Sequence, residues 1–180
     1  VAIPHKEKVM SILDDVSHEA TLIGAANTLI FCDGRVSGDN TDAQGFLRAM
    51  TEEGIDIPVG GSAVVLGAGG AARAVVVALA LSGLGLITVA NRTGWKAIQF
   101  EKDLATISET EISAVDLASN QLNSAIRSAD LLVNTTSVGM QETDQLLIDP
   151  DSLNPGTIVY EIVYTPRSEE RRVGKECRSR

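Results

Sequence analysis

The chain has 180 residues, of which 44% are apolar and only 3% aromatic, and its formal charge is −9. That is enough aliphatic material for a core in one domain or two small ones, and the acidic balance argues against nucleic acid or an anionic membrane as the main partner. Its two cysteines, Cys32 and Cys177, lie far apart without histidine spacing, so neither a disulfide framework nor a metal site is expected, and a reducing cytoplasm fits.

No apolar run reaches the length of a membrane span, and no secretory leader pattern is evident. Oligomeric state is not legible.

Val1 to Lys6 reads as a strand end entering a helix, with Pro4 suited to the first helical turn. Val9, Ile12, Leu13 and Val16 continue at helical spacing. Ala25 to Phe31 reads as a strand, Asp33-Gly34 as a hairpin turn, and Arg35 to Gly38 as the return strand. Asp39-Asn40-Thr41-Asp42 is a polar loop that leads into a helix over Ala43 to Glu53, stopped by Gly54. Pro58-Val59-Gly60-Gly61 is a short linker and the expected domain boundary.

From Ser62 the texture changes. Ala63 to Leu66 is a short Val-rich run that ends in Gly67-Ala68-Gly69-Gly70, followed by a nearly all-aliphatic helix over Ala71 to Leu81. Strands are expected at Leu86–Ala90, Ile112–Val115, Leu131–Val133 and Thr157–Glu161. Helices are expected at Thr93 to about Ile107, with Thr93 as a cap, and at Ser119–Arg127. Strands alternating with helices predict a parallel, doubly wound sheet, whose ligands bind beyond the carboxyl ends of the strands. Three loops lie there: Gly67–Gly70, Asn91–Thr93 and Asn134–Met140.

Composition breaks again at Arg167. The last fourteen residues carry six of the fifteen Lys and Arg and have neither helical nor strand periodicity. Residues 167–180 are therefore expected to be foreign to the fold, or else a solvated basic tail.

The glycine stretch has the form G-x-G-x-x-A. Gly67 permits a sharp turn, Gly69 removes a Cβ that would block a pyrophosphate, and Ala72 lets the helix pack on its strand. The helix N-terminus behind it favours an anion. A tight turn with no ligand is the plain alternative. A dinucleotide site that selects NAD usually places Asp or Glu about twenty residues further on. This chain has Asn91-Arg92-Thr93 there, with Lys96 one helical turn later. Such a set suits the 2′-phosphate of NADP, unless Arg92 and Lys96 are only solvated charges.

The first 42 residues hold Lys6, Asn27 and Asp42. A lysine beside an aspartate can protonate a carbonyl oxygen during reduction. Spacing alone does not show that they meet, and a solvated Lys6 with Asp42 as a helix cap is the simpler reading. His5 and His18 lack a carboxylate or nucleophile partner by motif. Cys32 reads as a small apolar strand residue, Trp95 as packed beside the cofactor loop or on the surface, and the carboxylates from Asp144 to Asp151 as solvated.

I-P-H-K at 3–6, G-A-A-N-T at 24–28, G-D-N-T-D at 38–42, G-A-G-G-A-A-R at 67–73, N-R-T at 91–93, N-T-T-S-V-G-M at 134–140 and V-Y at 163–164 occur in that order. On these motifs residues 1 to about 166 closely resemble the shikimate dehydrogenase family. The resemblance implies a Rossmann-like doubly wound parallel sheet over 59–166 that binds NADP, preceded over 1–58 by the C-terminal part of a small α/β substrate domain. It implies reduction of 3-dehydroshikimate to shikimate, a small-molecule substrate of aromatic amino acid and chorismate biosynthesis. Lys6 and Asp42 would be the catalytic pair, and Asn27, Asp42 and Tyr164 would face substrate. Gly67, Ala68, Gly69, Gly70 and Ala71 would cradle the pyrophosphate. Asn91, Arg92, Thr93 and Lys96 would hold the 2′-phosphate, with Thr136 and Ile162 beside the rest of the cofactor.

The chain departs from the family pattern at Ala2, where a threonine is usual, at Glu161 in place of Asp, and at Lys96 in place of a frequent Arg. It also lacks the family's N-terminal serine pair and C-terminal glutamine-bearing helices, so an internal fragment is expected. Two other functions remain open: a quinate/shikimate dehydrogenase using NAD, and a nucleotide-binding module without turnover.

Overall fold

The computed structural model describes residues 1, 5–105, 107–141, 144 and 146–163. Pro4, Tyr164 and the 167–180 tail lie outside the described residues.

Two sheets organise the chain. The first has three strands in the order β1-β3-β2: β1 (Asp15–Val16), β2 (Thr28–Cys32) and β3 (Arg35–Asp39). β2 and β3 form an antiparallel hairpin. Its turn is Asp33-Gly34, both with positive φ (49° and 76°), the twist that a two-residue hairpin needs. β1 joins β3 in parallel. Around this sheet lie a 3₁₀ turn (Lys8–Ile12), helix α1 (His18–Ile23) and helix α2 (Asp42–Glu52).

The single helix expected through Val9, Ile12, Leu13 and Val16 does not form. Ile12 is 74% exposed, so the apolar spacing there does not mark a buried face. The backbone instead bonds to β3: the Asp14 N–H donates to the Val36 carbonyl, and the Ser17 N–H donates to the Gly38 carbonyl. Ser17 then opens α1, its Oγ accepting from the Ala20 N–H at 3.1 Å. Gly38 lies in the strand because a Cβ there would collide with Leu13 Cδ1. Cys32 is a strand residue, the last of β2, and it is exposed like the two residues before it.

The second sheet is parallel, in the order β6-β5-β4-β7-β8. Its strands are β4 (Ser62–Leu66), β5 (Leu86–Asn91), β6 (Glu111–Asp116), β7 (Leu131–Asn134) and β8 (Ile158–Glu161). Helices α3 (Gly70–Leu81), α4 (Gly94–Leu104) and α5 (Asn120–Ser128) make the crossovers. This is the doubly wound Rossmann arrangement, with its switch point between β4 and β7.

Alternate residues of one strand serve opposite faces. Ala63 and Val65 pack with Ile87, Val89, Leu131 and Val133 under α3 and α4. Val64 and Leu66 pack with Ala90, Leu132, Leu122 and Ile126 under α5. Every β4 residue from Ala63 to Leu66 is buried, which is why the strand reads as a continuous apolar run. The first of these cores also takes in Ala43, Phe46 and Met50 of α2. It thereby joins the two sheets through one apolar layer.

α4 is shorter than expected, ending at Leu104, and Thr93 makes no side-chain cap bond. The Asn91 side chain supplies the local order instead, its Nδ2 donating to the Thr93 carbonyl at 3.1 Å. Two of the carboxylates read as solvated bind backbone. Asp144 Oδ2 accepts from the Gly139 and Gln141 N–H groups, and Asp149 Oδ1 accepts from the Asp151 N–H.

Candidate active site

Lys6, Asn27 and Asp42 are far apart in sequence but meet in one hydrogen-bonded cluster. Lys6 Nζ lies 2.6 Å from Asp42 Oδ2, with the two side chains 15% and 28% exposed. The other Asp42 oxygen accepts from Asn27 Nδ2 at 2.8 Å. Asn27 Oδ1 accepts from Thr28 Oγ1 and from the Thr41 N–H. Asp42 is the first residue of α2, where the positive end of the helix favours a carboxylate.

The local backbone holds these three in place. The Ala26 N–H donates to the Lys6 carbonyl, and the Asn27 N–H donates to the Asp39 carbonyl. Asn40 is 1% exposed, and both ends of its amide are used. Its Nδ2 donates to the Ala25 carbonyl at 2.8 Å, and its Oδ1 accepts from the Asp42 N–H at 2.9 Å. Asp39 Oδ1 accepts from Ser17 Oγ at 2.6 Å and from the Asn40 N–H at 2.8 Å. Asn40 was not singled out from the sequence; its place between two ligand-type aspartates in G-D-N-T-D was the only signal.

The glycine turn lies directly against this cluster. A Cβ on Gly70 would stand 2.8 Å from Lys6 Cβ and 3.4 Å from Ala25 Cβ. Gly67 is buried with φ 109°, and a Cβ there would stand 2.6 Å from Thr135 Oγ1. Gly69 differs: it is exposed, and a Cβ on it would meet nothing within 4 Å among the described residues. It is also the N-cap of α3, with no side-chain cap bond. The start of α3 thus has no side-chain cap and open space beside Gly69, which suits an anionic group. Ala68 and Ala71 complete the turn on either side.

The neighbouring strand ends complete the rim. The Gly67 N–H donates to the Ala90 carbonyl at 2.8 Å, which ties the glycine turn to β5 and the Asn91-Arg92-Thr93 loop. Arg92 and Lys96 are exposed, and among the described residues neither forms an ion pair. Trp95 is 68% exposed, and Lys96 Nζ lies 5.8 Å from its ring centroid. One carboxylate that sequence reading passed over stands nearby. Asp116 pairs in register with Asn91, and its Oδ2 would lie 3.8 Å from a Cβ on Gly94.

Beyond β7, Thr136 Oγ1 and its N–H both donate to Asn134 Oδ1, and Thr136 Cγ2 would lie 3.3 Å from a Cβ on Gly67. Asn134 Nδ2 donates to both Glu161 oxygens, at 3.0 and 2.9 Å. The Ile162 N–H donates to the Asn134 carbonyl. Thr136 is thus held beside the glycine turn, and Ile162, just past the adjacent strand β8, is tied to Asn134.

Tyr160 packs edge-on against Phe46, with ring centroids 5.0 Å apart, and burial pushes its phenol above its ordinary value. His5 and His18 are exposed, and among the described residues no three His, Cys, Asp or Glu side chains gather as metal ligands. Among the described residues no helix is long and apolar enough to cross a membrane.

Comparison with known proteins gives this geometry a family. Residues 1–29 match the shikimate dehydrogenase substrate binding domain, and residues 58–145 match the shikimate / quinate 5-dehydrogenase family. A shikimate dehydrogenase (NADP(+)) of Desulforamulus reducens is 42% identical over 168 residues, covering 92% of this chain. The chain spans 58% of that relative's length. Two solved structures superpose closely. A shikimate 5-dehydrogenase from Listeria monocytogenes, in complex with shikimate and NAD, has a TM-score of 0.80 at 34% identity, covering 93% of this chain and 60% of its own. One from Thermus thermophilus, in complex with NADP(H) and shikimate, has a TM-score of 0.77 at 38% identity, covering 92% and 57%. From its glycine turn to its Lys6–Asp42 cluster, the chain belongs to the shikimate dehydrogenase family.

Proposed function

We propose that this chain provides the nucleotide-binding half and part of the substrate half of an NADP-dependent shikimate dehydrogenase, which reduces 3-dehydroshikimate to shikimate. The observation that carries this reading is the 2.6 Å contact of Lys6 Nζ with Asp42 Oδ2, packed against Gly70 of the glycine turn. That contact brings a proton-donating ammonium to the place where a dinucleotide and a carbonyl substrate would meet. The open space at Gly69 and the start of α3 without a side-chain cap fit a pyrophosphate, and Arg92 and Lys96, which form no ion pair among the described residues, fit a 2′-phosphate.

NADPH, when bound, supplies the hydride that reduces the carbonyl carbon. Lys6 polarises the carbonyl oxygen and gives it a proton as negative charge develops, leaving an alcohol and a neutral amine. Asp42 holds the ammonium in place through one oxygen, while Asn27 steadies the other. In the opposite direction the neutral Lys6 amine takes the hydroxyl proton. Asn27 and Asp42 also present polar groups to substrate hydroxyls. A cytoplasmic role in aromatic amino acid and chorismate biosynthesis belongs to this reading.

The test is the rate of 3-dehydroshikimate reduction with NADPH and with NADH, together with titration of shikimate onto the chain. With the substrate half complete, turnover is expected, faster with NADPH. NADPH binding without shikimate binding would leave a nucleotide-binding module. A second reading, use of NAD, is favoured by Asp116, because a carboxylate beside Gly94 would repel a 2′-phosphate. A higher rate with NADH would select it.

A further inference from the structure

The arginine that ends G-A-G-G-A-A-R invites assignment to the cofactor phosphates, but its guanidinium is engaged elsewhere. Arg73 Nε donates to the Ile23 carbonyl at 2.6 Å, at the C-terminus of α1. Its Nη1 pairs with Asp103 Oδ2 on α4 at 3.0 Å, and the guanidinium carbon lies 5.4 Å from the Phe100 ring centroid. The Arg73 side chain is 12% exposed. Its geometry also accounts for a glycine remote from it in sequence. Gly24 caps α1 with φ 71°, and a Cβ there would stand 2.8 Å from Arg73 Nη2. The glycine of G-A-A-N-T and the arginine of the glycine-rich motif are therefore two sides of one contact.

The segment that follows Gly24 is the one that carries Asn27. Ala25 and Ala26 are fully buried, and Ala25 Cβ lies 3.4 Å from the position of a Gly70 Cβ. Gly24 thus faces Arg73 and Ala25 faces Gly70, both in the first turn of α3, and this anchors the start of the segment that leads to Asn27. The positive guanidinium also sits at the negative end of α1, where carbonyls lack helical partners.

We propose that Arg73 is a positioning residue: it fixes the Gly24–Asn27 turn onto the nucleotide half, and so sets the distance between substrate and cofactor. This rests on the dehydrogenase reading for its effect on turnover, but not for its effect on the turn. A lysine cannot replace it, because a single ammonium cannot reach Ile23 O and Asp103 in the same fork.

The test uses Arg73→Met and Arg73→Lys in the full chain. Native-state amide exchange is followed at Ala25, Ala26 and Asn27, whose N–H groups bond to Ala20, Lys6 and Asp39 carbonyls. The amides of Val64, Val65 and Val89 serve as reference. In Arg73→Met, exchange at 25–27 should accelerate about tenfold more than at the reference amides. NADPH affinity should stay within about twofold, while kcat falls about tenfold or more, as expected for a displaced reacting group. Arg73→Lys should move the same way to a smaller extent, and it keeps the test available if the methionine variant does not fold.

Equal acceleration at both sets of amides would reduce Arg73 to a general stabilising residue. Loss of NADPH affinity would make it a cofactor contact. Either result, or unchanged exchange at 25–27, overturns the proposal. A wild-type chain that binds neither NADPH nor shikimate would sink the dehydrogenase reading alone, since the exchange measurement needs no ligand.

Discussion

The two sheets are held by different forces. The central strands β4 and β7 of the five-stranded sheet are buried on both faces, and each is an apolar run. The three-stranded sheet leaves Ile30 and Phe31 exposed, and its turns are held by side-chain hydrogen bonds from Ser17, Asn27, Asp39 and Asn40. The first gives a rigid platform whose stability is spread over many contacts. The second concentrates its order in a few polar groups, and those same groups surround Lys6 and Asp42. Order in the larger sheet is a matter of packing, whereas order in the smaller one is part of the proposed chemistry.

Substitutions can separate the two. Leu79→Ala, at a fully buried position of α3, should cost about 2–5 kcal/mol in urea unfolding. Its folded fraction should turn over at the wild-type rate; a large loss there would mean that packing and chemistry are not separate. Asn40→Ala, by contrast, removes one buried amide and leaves the Ala25 carbonyl and the Asp42 N–H without it. The stability cost should be smaller, about 1–3 kcal/mol, while kcat should fall well below that of the Leu79 variant.

Two glycines of one motif give a finer contrast. Gly67→Ala combines φ 109° with a close approach to Thr135 Oγ1, and should destabilise by more than about 1 kcal/mol. Gly69→Ala meets no neighbour within 4 Å among the described residues and has φ −111°. Its stability should stay within about 0.5 kcal/mol of wild type, and its loss should appear in NADPH affinity, read by titration. A destabilised Gly69→Ala with normal affinity would remove that position from the cradle.

The smallest expected effect is at the seam between the sheets. Burial raises the Tyr160 phenol above its ordinary value of 10.0. The folded state therefore holds this proton more tightly than the unfolded chain. The resulting stability is fully present below the unfolded pKa and is lost as pH rises through the folded one. Urea midpoints measured from about pH 9 to 11 should fall more steeply for wild type than for Tyr160→Phe. Parallel curves would show that the phenol carries no such linkage.

The larger sheet was legible because burial on both faces makes its central strands β4 and β7 apolar runs, and because Gly67–Gly70 breaks the first of them at its carboxyl end. The smaller one was only partly legible. The hairpin announced itself through Asp33-Gly34, but the Val9–Val16 spacing imitated a helix while Ile12 faced solvent. The Lys6–Asp42 contact could not be read from spacing, since it depends on backbone bonds from Ala26 and Asn27 that tertiary structure sets. Family resemblance supplied the pair. The contacts of Asn40 with Ala25, and of Arg73 with Ile23 and Asp103, are not legible in spacing, because these partners are remote in sequence. The Tyr164 expectation falls outside the described residues.

The central claim is that Lys6 donates the proton while the glycine turn beside it binds the cofactor independently. Lys6→Ala tests it most directly, through turnover of 3-dehydroshikimate and fluorescence titration of NADPH on the same preparation. NADPH affinity should stay within about twofold of wild type, and kcat should fall by about 10² to 10⁴. Wild-type turnover in that variant would contradict the claim.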